Sequence, residues 1–219
     1  MAQRQLLNID GGLHHVCHGN EKLSRNDRAG VTALPVNRGI LTHPGTVTPR
    51  QAAPSGATLR TVDMASIPDN YRDQLSWRWR HFALFSGPEW HRVLNLRTAI
   101  FVVEQQCPYQ EVDQKDTDSW HLELSYHSAL IGTLRVLPPG LSYEECSIGR
   151  VAVHVDFRRR GLARELMKLA LTFCDGRWPA VRLSAQTYLQ PFYESLGFTA
   201  TGAPYLEDNI PHIEMLRER

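Results

Sequence analysis

From residue 77 onward the apolar positions follow two alternating periods. Trp77, Trp79, Phe82 and Phe85 predict an aromatic strand over residues 77–85. Ser86-Gly87-Pro88-Glu89 then has the spacing of a capping box with proline in the first turn. Trp90, Val93, Leu94, Arg97, Ile100 and Phe101 recur at helical spacing until Pro108 closes the element. An acidic loop follows, with Glu111, Asp113, Asp116 and Asp118. Two strands are predicted at residues 120–126 and 129–137, joined tightly at His127-Ser128 and ended by Pro138-Pro139-Gly140. Residues 147–155 form another, with Ile148, Val151, Val153 and Val155 apolar. After Gly161 a helix puts Leu162, Leu166, Leu169 and Phe173 on one face and Arg164, Glu165, Lys168 and Asp175 on the other. Residues 181–185 predict a buried strand and residues 189–196 a short helix. The tail predicts a hairpin of residues 198–205 and 212–216 around Asp208-Asn209. This order, β-α-β-β-β-α-β-α-β-β, predicts a mixed α/β (α+β) domain on one central sheet, with no internal repeat.

Residues 1–65 carry no such period. Pro35, Pro44, Pro49 and Pro54 alternate there with Gly39, Gly45 and Gly56, so a poorly ordered extension is expected ahead of a domain at residues 66–219. A targeting peptide is the competing reading, because arginine outnumbers acid in this segment, and Met64 is an alternative start. The run His14-His15-Val16-Cys17-His18 offers four metal-ligand types, but a polar tail supplies no second shell, and no metal is expected.

Composition narrows the class. The 219 residues are 42% hydrophobic and 21% charged, which describes an ordinary globular protein. A formal net charge of +1 gives no global attraction to nucleic acid or an acidic membrane, so any basic site is local. Cys17, Cys107, Cys146 and Cys174 form no CxxC pair, which argues against a disulfide scaffold or structural zinc and for a reducing compartment. No apolar run approaches the roughly 20 residues of a membrane span, and no compact secretory core is present. The expectation is a cytoplasmic monomer or homodimer with no nucleic-acid or membrane partner.

The first chemical signal lies at a strand-to-helix junction, Arg158-Arg159-Arg160-Gly161-Leu162-Ala163. A helix N-terminus carries unpaired N–H groups and partial positive charge, and both favour an anion such as a pyrophosphate. Gly161 lets a ligand approach the backbone, Ala163 keeps the first turn narrow, and the arginines add charge. A basic turn on an ordinary helix is the competing reading. The segment is neither a P-loop nor a Rossmann fingerprint, because GxxxxGK[ST] and the first glycines of GxGxxG are missing.

Arg158-x-x-Gly161-x-Ala163, following Ile148 to Val155, resembles motif A of the GNAT N-acetyltransferases. Pro191-Phe192-Tyr193-Glu194-Ser195-Leu196-Gly197-Phe198 is similar to a second segment of that family. Leu96 to Gln105 with Cys107-Pro108-Tyr109, Ala185-Gln186, Leu189-Gln190 and Glu207 to Ile213 resemble its ElaA-type branch. Glu214 stands where that branch would have glycine. The resemblance covers roughly residues 77–217. It implies a twisted, mostly antiparallel sheet, splayed between the strand ending at Val155 and the one ending at Ala185. Acyl-CoA would lie in the splay, its pantetheine on the backbone of Val151, Ala152 and Val153 and its pyrophosphate on the amides of Arg159 to Ala163.

The implied reaction moves an acetyl group from acetyl-CoA, as co-substrate and without metal, to a primary amine on a small molecule or peptide. An amine of pKa about 10.4 is almost wholly charged at pH 7, so a base is expected. Tyr193 is the candidate acid for the leaving thiolate, with a core tyrosine as the alternative. An N–H of the Val151–Val153 strand is the candidate oxyanion donor. Glu111, Asp113, His121 and His212 are candidate bases, although the acidic loop also reads as a solvated surface and His212 as a structural histidine. Arg97 and Glu104, seven apart, predict either an acceptor-site lining or a buried pair. Gln186 and Gln190 contact the CoA arm, the acceptor or only the protein. Two competing functions remain: a non-enzymatic acyl-CoA-binding module, and an acyl-homoserine-lactone-synthase-like enzyme, which residues 96–104 also resemble.

Overall fold

The computed structural model describes residues 67–219; the expectations for residues 1–65, including the run His14 to His18, lie outside the described residues. Its strands are β1 (Leu75–His81), β2 (Trp120–Tyr126), β3 (Ala129–Leu137), β4 (Cys146–Val153), β5 (Ala180–Gln186), β6 (Thr199–Ala200), β7 (Tyr205–Glu207) and β8 (Ile210–Glu218). They form one sheet in the order β1-β2-β3-β4-β5-β8-β6, with β7 also on β8. Every pair is antiparallel except β4–β5. The helices are α1 (Gly87–Thr98), α2 (Leu162–Asp175) and α3 (Gln190–Glu194).

Local chemistry sets the turns. His127 and Ser128 both have positive φ, 45° and 69°, as do Asp208 and Asn209, 49° and 62°. Two left-handed residues make the tight turn whose twist matches the flanking strands. They pair Tyr126 with Ala129 and Glu207 with Ile210. At the head of α1 the Ser86 N–H donates to Glu89 Oε2 at 2.9 Å, the carboxylate half of the expected capping box.

Both faces of the sheet are covered. On one, α2 buries Leu162, Ala163, Leu166, Met167, Ala170 and Cys174 against strand residues such as Leu122, Leu134 and Val136. On the other, Val93, Leu96 and Ile100 pack on Leu130 and Ala152.

Several boundaries differ from the expectation. The first strand stops at His81; residues Phe82–Leu84 form a 3-10 turn that brings Phe85 edge-on to Trp90 at 5.3 Å. β4 ends at Val153, and Val155 is 56% exposed in a 3-10 turn, Val155–Phe157. On α2, Leu169 is exposed because the contact stripe runs through Ala163, Met167, Ala170 and Cys174 instead. The first arm of the tail hairpin is split into β6 and β7, which pair with opposite ends of β8.

Two irregularities shape the site. β4 and β5 pair only at Cys146–Val181 and Ser147–Arg182, while β5 pairs with β8 along its whole length. From Ile148 onward β4 therefore diverges from β5. Within the divergent part Leu134 of β3 faces two residues of β4, Arg150 and Val151, and Arg150 has φ 54°. This is a bulge, which bends the strand and re-aims its peptide groups.

Candidate active site

The cradle begins where β4 ends. Arg159 has φ 61° and Gly161 has φ 78°, ψ 1°, so the chain turns through left-handed backbone before α2 starts. Among the described residues, no acceptor is bonded to the amides of Arg159 to Arg164; the first helical bond runs from Glu165 N–H to the Gly161 carbonyl at 3.2 Å. These donors and the helix dipole suit an anion. A Cβ on Gly161 would meet only Arg72 Nη2, at 3.8 Å, so the space before it is open.

The arginines of the cradle divide by partner. Arg158 is committed within the protein. Its guanidinium makes two 2.8 Å bonds to Glu104, and its Nε donates to the Val153 carbonyl at 3.0 Å. Arg159, Arg160 and Arg164 have no carboxylate partner among the described residues; Arg160 lies 5.1 Å over the Tyr71 ring. Arg72 braces the loop from outside, bonding Glu165 and the Arg160 carbonyl, the latter at 2.6 Å. Sequence reading missed both braces, because nothing in residues 72 or 104 marks a partner 54 to 93 positions away.

A cavity of about 310 Å³ opens in the divergence of β4 and β5, walled also by residues after α1, by α3 and by the β7–β8 hairpin. Val151, Gln186, Tyr193 and His212 line it together. Tyr193 is buried, and burial, with the neighbouring Tyr188, pushes its phenol well above the usual range. It is therefore protonated at neutral pH. His212 bonds the Ile210 carbonyl through Nδ1 at 2.8 Å; assigning the proton to Nδ1 on that ground leaves Nε2 as an acceptor. Gln186 sits opposite His212 in the β5–β8 register. Gln190 bonds Glu194 at 2.8 Å one turn on, a contact within α3.

Of the other candidate bases, Asp113 also lines the cavity, whereas Glu111 and His121 are not among its lining residues. Glu111 is buried with Oε1 shared by Arg97 at 2.7 Å and Arg150 at 3.0 Å. Asp116 is bound by Arg97 at 2.9 Å and Arg135 at 2.8 Å. Asp113 is bound by Arg135 at 2.6 Å. Burial would raise the Asp113 carboxyl, but the Arg135 hydrogen bond and the charges of Arg135 and Arg150 hold it below the usual value. Three of the loop's four acids thus make half of a six-member ion cluster, while Asp118 stays exposed. Arg97 and Glu104 both pair, but not with each other. The helix widens to a π-helix over Ala99–Glu104, with Gln105 N–H bonding Ile100 O at 3.2 Å, which carries Glu104 round to Arg158. His121 is fully buried between Phe85 and Trp90, its Nε2 3.2 Å from the Asp116 carbonyl, and burial lowers its pKa to about 4.

Of the other cavity residues, Lys115, Arg135 and Tyr143 were not singled out from sequence, and Tyr109, Arg150 and Glu207 entered only within segments that carry the resemblance, without a role. Burial pushes Tyr109 up to about 12 against the opposing pull of Arg150. The signal that could have found the arginines is their position in the apolar strands β3 and β4, close after an acidic loop of opposite charge.

Comparison with known proteins gives a consistent result. The model of the acetyltransferase (GNAT) domain matches residues 93–219. Protein ElaA of Escherichia coli (strain K12) is 38% identical over 148 residues, which covers 66% of this chain and 97% of ElaA. The crystal structure of Escherichia coli ElaA is similar at a TM-score of 0.62, over 66% of this chain and 99% of that one. An acyl-CoA N-acyltransferase from Pseudomonas aeruginosa is 42% identical at a TM-score of 0.62, over 65% of this chain and 99% of that one.

Proposed function

Because the chain belongs to the GNAT acetyltransferase family, we propose that it transfers an acetyl group from acetyl-CoA to the nitrogen of a primary amine. The observation that carries this reading is the continuity of the cradle with the splay. Six unpartnered amides at the head of α2 adjoin a strand edge that β5 leaves unpaired, and that edge ends in a cavity holding Tyr193 and His212.

Each group then has a task. The amides of Arg159 to Ala163, with the charges of Arg159 and Arg160, bind the diphosphate of the donor. Arg158 acts indirectly, by tying the cradle to Glu104 and to the end of β4. The open edge of Val151, Ala152 and Val153 pairs with the amide groups of the pantetheine arm. The bulge at Arg150–Val151 turns a peptide N–H toward the thioester oxygen, where it stabilises the oxyanion formed on attack. His212 Nε2 accepts the amine proton as the C–N bond forms. Tyr193 donates to the thiolate sulfur as the C–S bond breaks; the burial that keeps its phenol protonated also makes it recover its proton. Glu111, with Arg97 and Arg150 both on one oxygen, holds the cluster together.

Thiol release from acetyl-CoA across a panel of primary amines tests the reading. Amine-dependent release with an N-acetyl product supports it. CoA binding without release from any acyl-CoA would assign the chain to the non-enzymatic class, and lactone formation with S-adenosylmethionine would assign it to the synthase class. As to location, no helix among the described residues is long and apolar enough to cross a membrane; we retain the cytoplasm as the proposed compartment.

A further inference from the structure

The cavity walls carry charges of both signs, and most cancel within the protein. Arg135 and Arg150 are held by Asp113, Asp116 and Glu111 at 2.6–3.0 Å. With Arg97 behind them, the cluster has three guanidinium groups and three carboxylates, so it contributes no net charge. Lys115, exposed on the cavity rim, has no carboxylate within ion-pair distance among the described residues; its ammonium donates to the Ser142 hydroxyl at 2.7 Å, which leaves that hydroxyl hydrogen free to donate in turn. On the hairpin wall, Glu207 has no cation within ion-pair distance among the described residues; it accepts from the Ser184 hydroxyl at 3.1 Å, and that hydroxyl in turn accepts from Tyr205 at 2.6 Å. Tyr205 faces His212 across the β7–β8 register, so the Glu207 carboxylate lies on the wall that also carries the candidate base.

Among the described residues, Lys115 and Glu207 thus bring a cation and an anion without an ion-pair partner to a single cavity. A bare polyamine would satisfy Glu207 and be repelled by Lys115. A simple carboxylate would do the reverse. An acceptor with both groups satisfies both. A volume of about 310 Å³ lies at the lower end of the roughly 300–1,000 Å³ usual for ligand pockets, which suits a small molecule.

We propose that the acceptor is a free amino acid or a close analogue, its carboxylate taken by Lys115 and Ser142 and its ammonium collected by Glu207 beside Tyr205 and Ser184. From Glu207 the amine passes to His212 for deprotonation. This inference rests on the acyltransferase reading above and specifies its substrate class.

The test uses matched pairs with the full chain: L-lysine against cadaverine, and L-phenylalanine against phenethylamine. Two readouts are taken, thiol release from acetyl-CoA and equilibrium binding of each compound to the CoA-bound protein. The wild type should prefer the carboxylate member by roughly 10-fold or more, the size of one charge-assisted hydrogen bond. Lys115→Met should collapse that ratio toward one, through a rise in KM for the carboxylate member. Glu207→Gln should raise KM for both members. Lys115 is exposed, so folding is not at stake in its variant. Turnover of the bare amines with no preference, or a preference that survives Lys115→Met, overturns this inference alone. No release and no binding with any amine overturns the acyltransferase reading itself.

Discussion

Replacing Gly161 with alanine separates the cost to the protein from the cost to a ligand. Gly161 adopts φ 78°, where an L-residue costs roughly 1–2 kcal/mol. No steric penalty is added, since the new methyl would meet only Arg72 Nη2 at 3.8 Å. The free protein should lose about 1–2 kcal/mol and its Tm should fall by roughly 2–8 °C. A diphosphate resting on the amides of Arg159 to Ala163 would occupy the open space the methyl enters. CoA affinity should therefore fall by about 10-fold or more, well beyond the fold change the small loss in stability implies for a protein that remains folded. Calorimetric titration with CoA and with pantetheine reads the difference. Pantetheine lacks the diphosphate and should bind the variant as it binds the wild type. The reasoning is refuted if Tm falls as expected while CoA binds undiminished, because the diphosphate then does not approach Gly161.

Three further outcomes follow from the geometry. Tyr193→Phe should lower kcat by about 100-fold or more while CoA binding by titration stays nearly constant, because only the hydroxyl in the cavity is removed. Arg97→Met should destabilise the fold by about 2–4 kcal/mol in denaturant unfolding, somewhat less than the 3–5 kcal/mol of a broken isolated buried pair, because Glu111 keeps Arg150 and Asp116 keeps Arg135. His121 should make stability fall with acid: its folded pKa is lowered from 6.5 to about 4. The unfolded chain therefore takes up a proton that the native state refuses, and stability present above pH 6.5 is lost as pH falls toward 4, on the order of 3 kcal/mol in all. His121→Gln should flatten unfolding curves in that window, and parallel curves would contradict the assignment.

Local signals in the sequence were legible where they act locally. The β2–β3 hairpin matched its predicted limits because His127-Ser128 and the flanking apolar runs decide it within a few residues. The start of α2 was legible for the same reason, as glycine is favoured where backbone turns left-handed just before a helix. The parts that were not legible depend on distant partners or on a change of helical pitch. Arg97 and Glu104 share a face only while the helix keeps its ordinary turn, and the π-helix over Ala99–Glu104 removes that condition. Leu169 has the right spacing for a core position, but small Ala163 and Ala170 let α2 approach the sheet along another stripe. The cavity itself comes from the two-residue pairing of β4 with β5, which no spacing within either strand encodes.

The ion cluster shows why charge counts along the chain misdirect the search for a base. Residues 111–118 read as an acidic surface awaiting a cationic substrate, but Glu111, Asp113 and Asp116 are answered by arginines on α1, β3 and β4. Arginine holds its charge throughout the usual pH range and can serve two carboxylates at once, so the charge of these acids is answered within the protein. The same subtraction applies at the cradle, where Glu104 neutralises Arg158 and leaves Arg159 and Arg160 for a ligand. On the proposed reading, the groups offered for binding in both places are those left after internal pairing: two arginines for a donor diphosphate, and Lys115 with Glu207 for the acceptor. His212 remains as the candidate base because its Nδ1 is anchored to a backbone carbonyl, a partner that orients the ring without competing for Nε2.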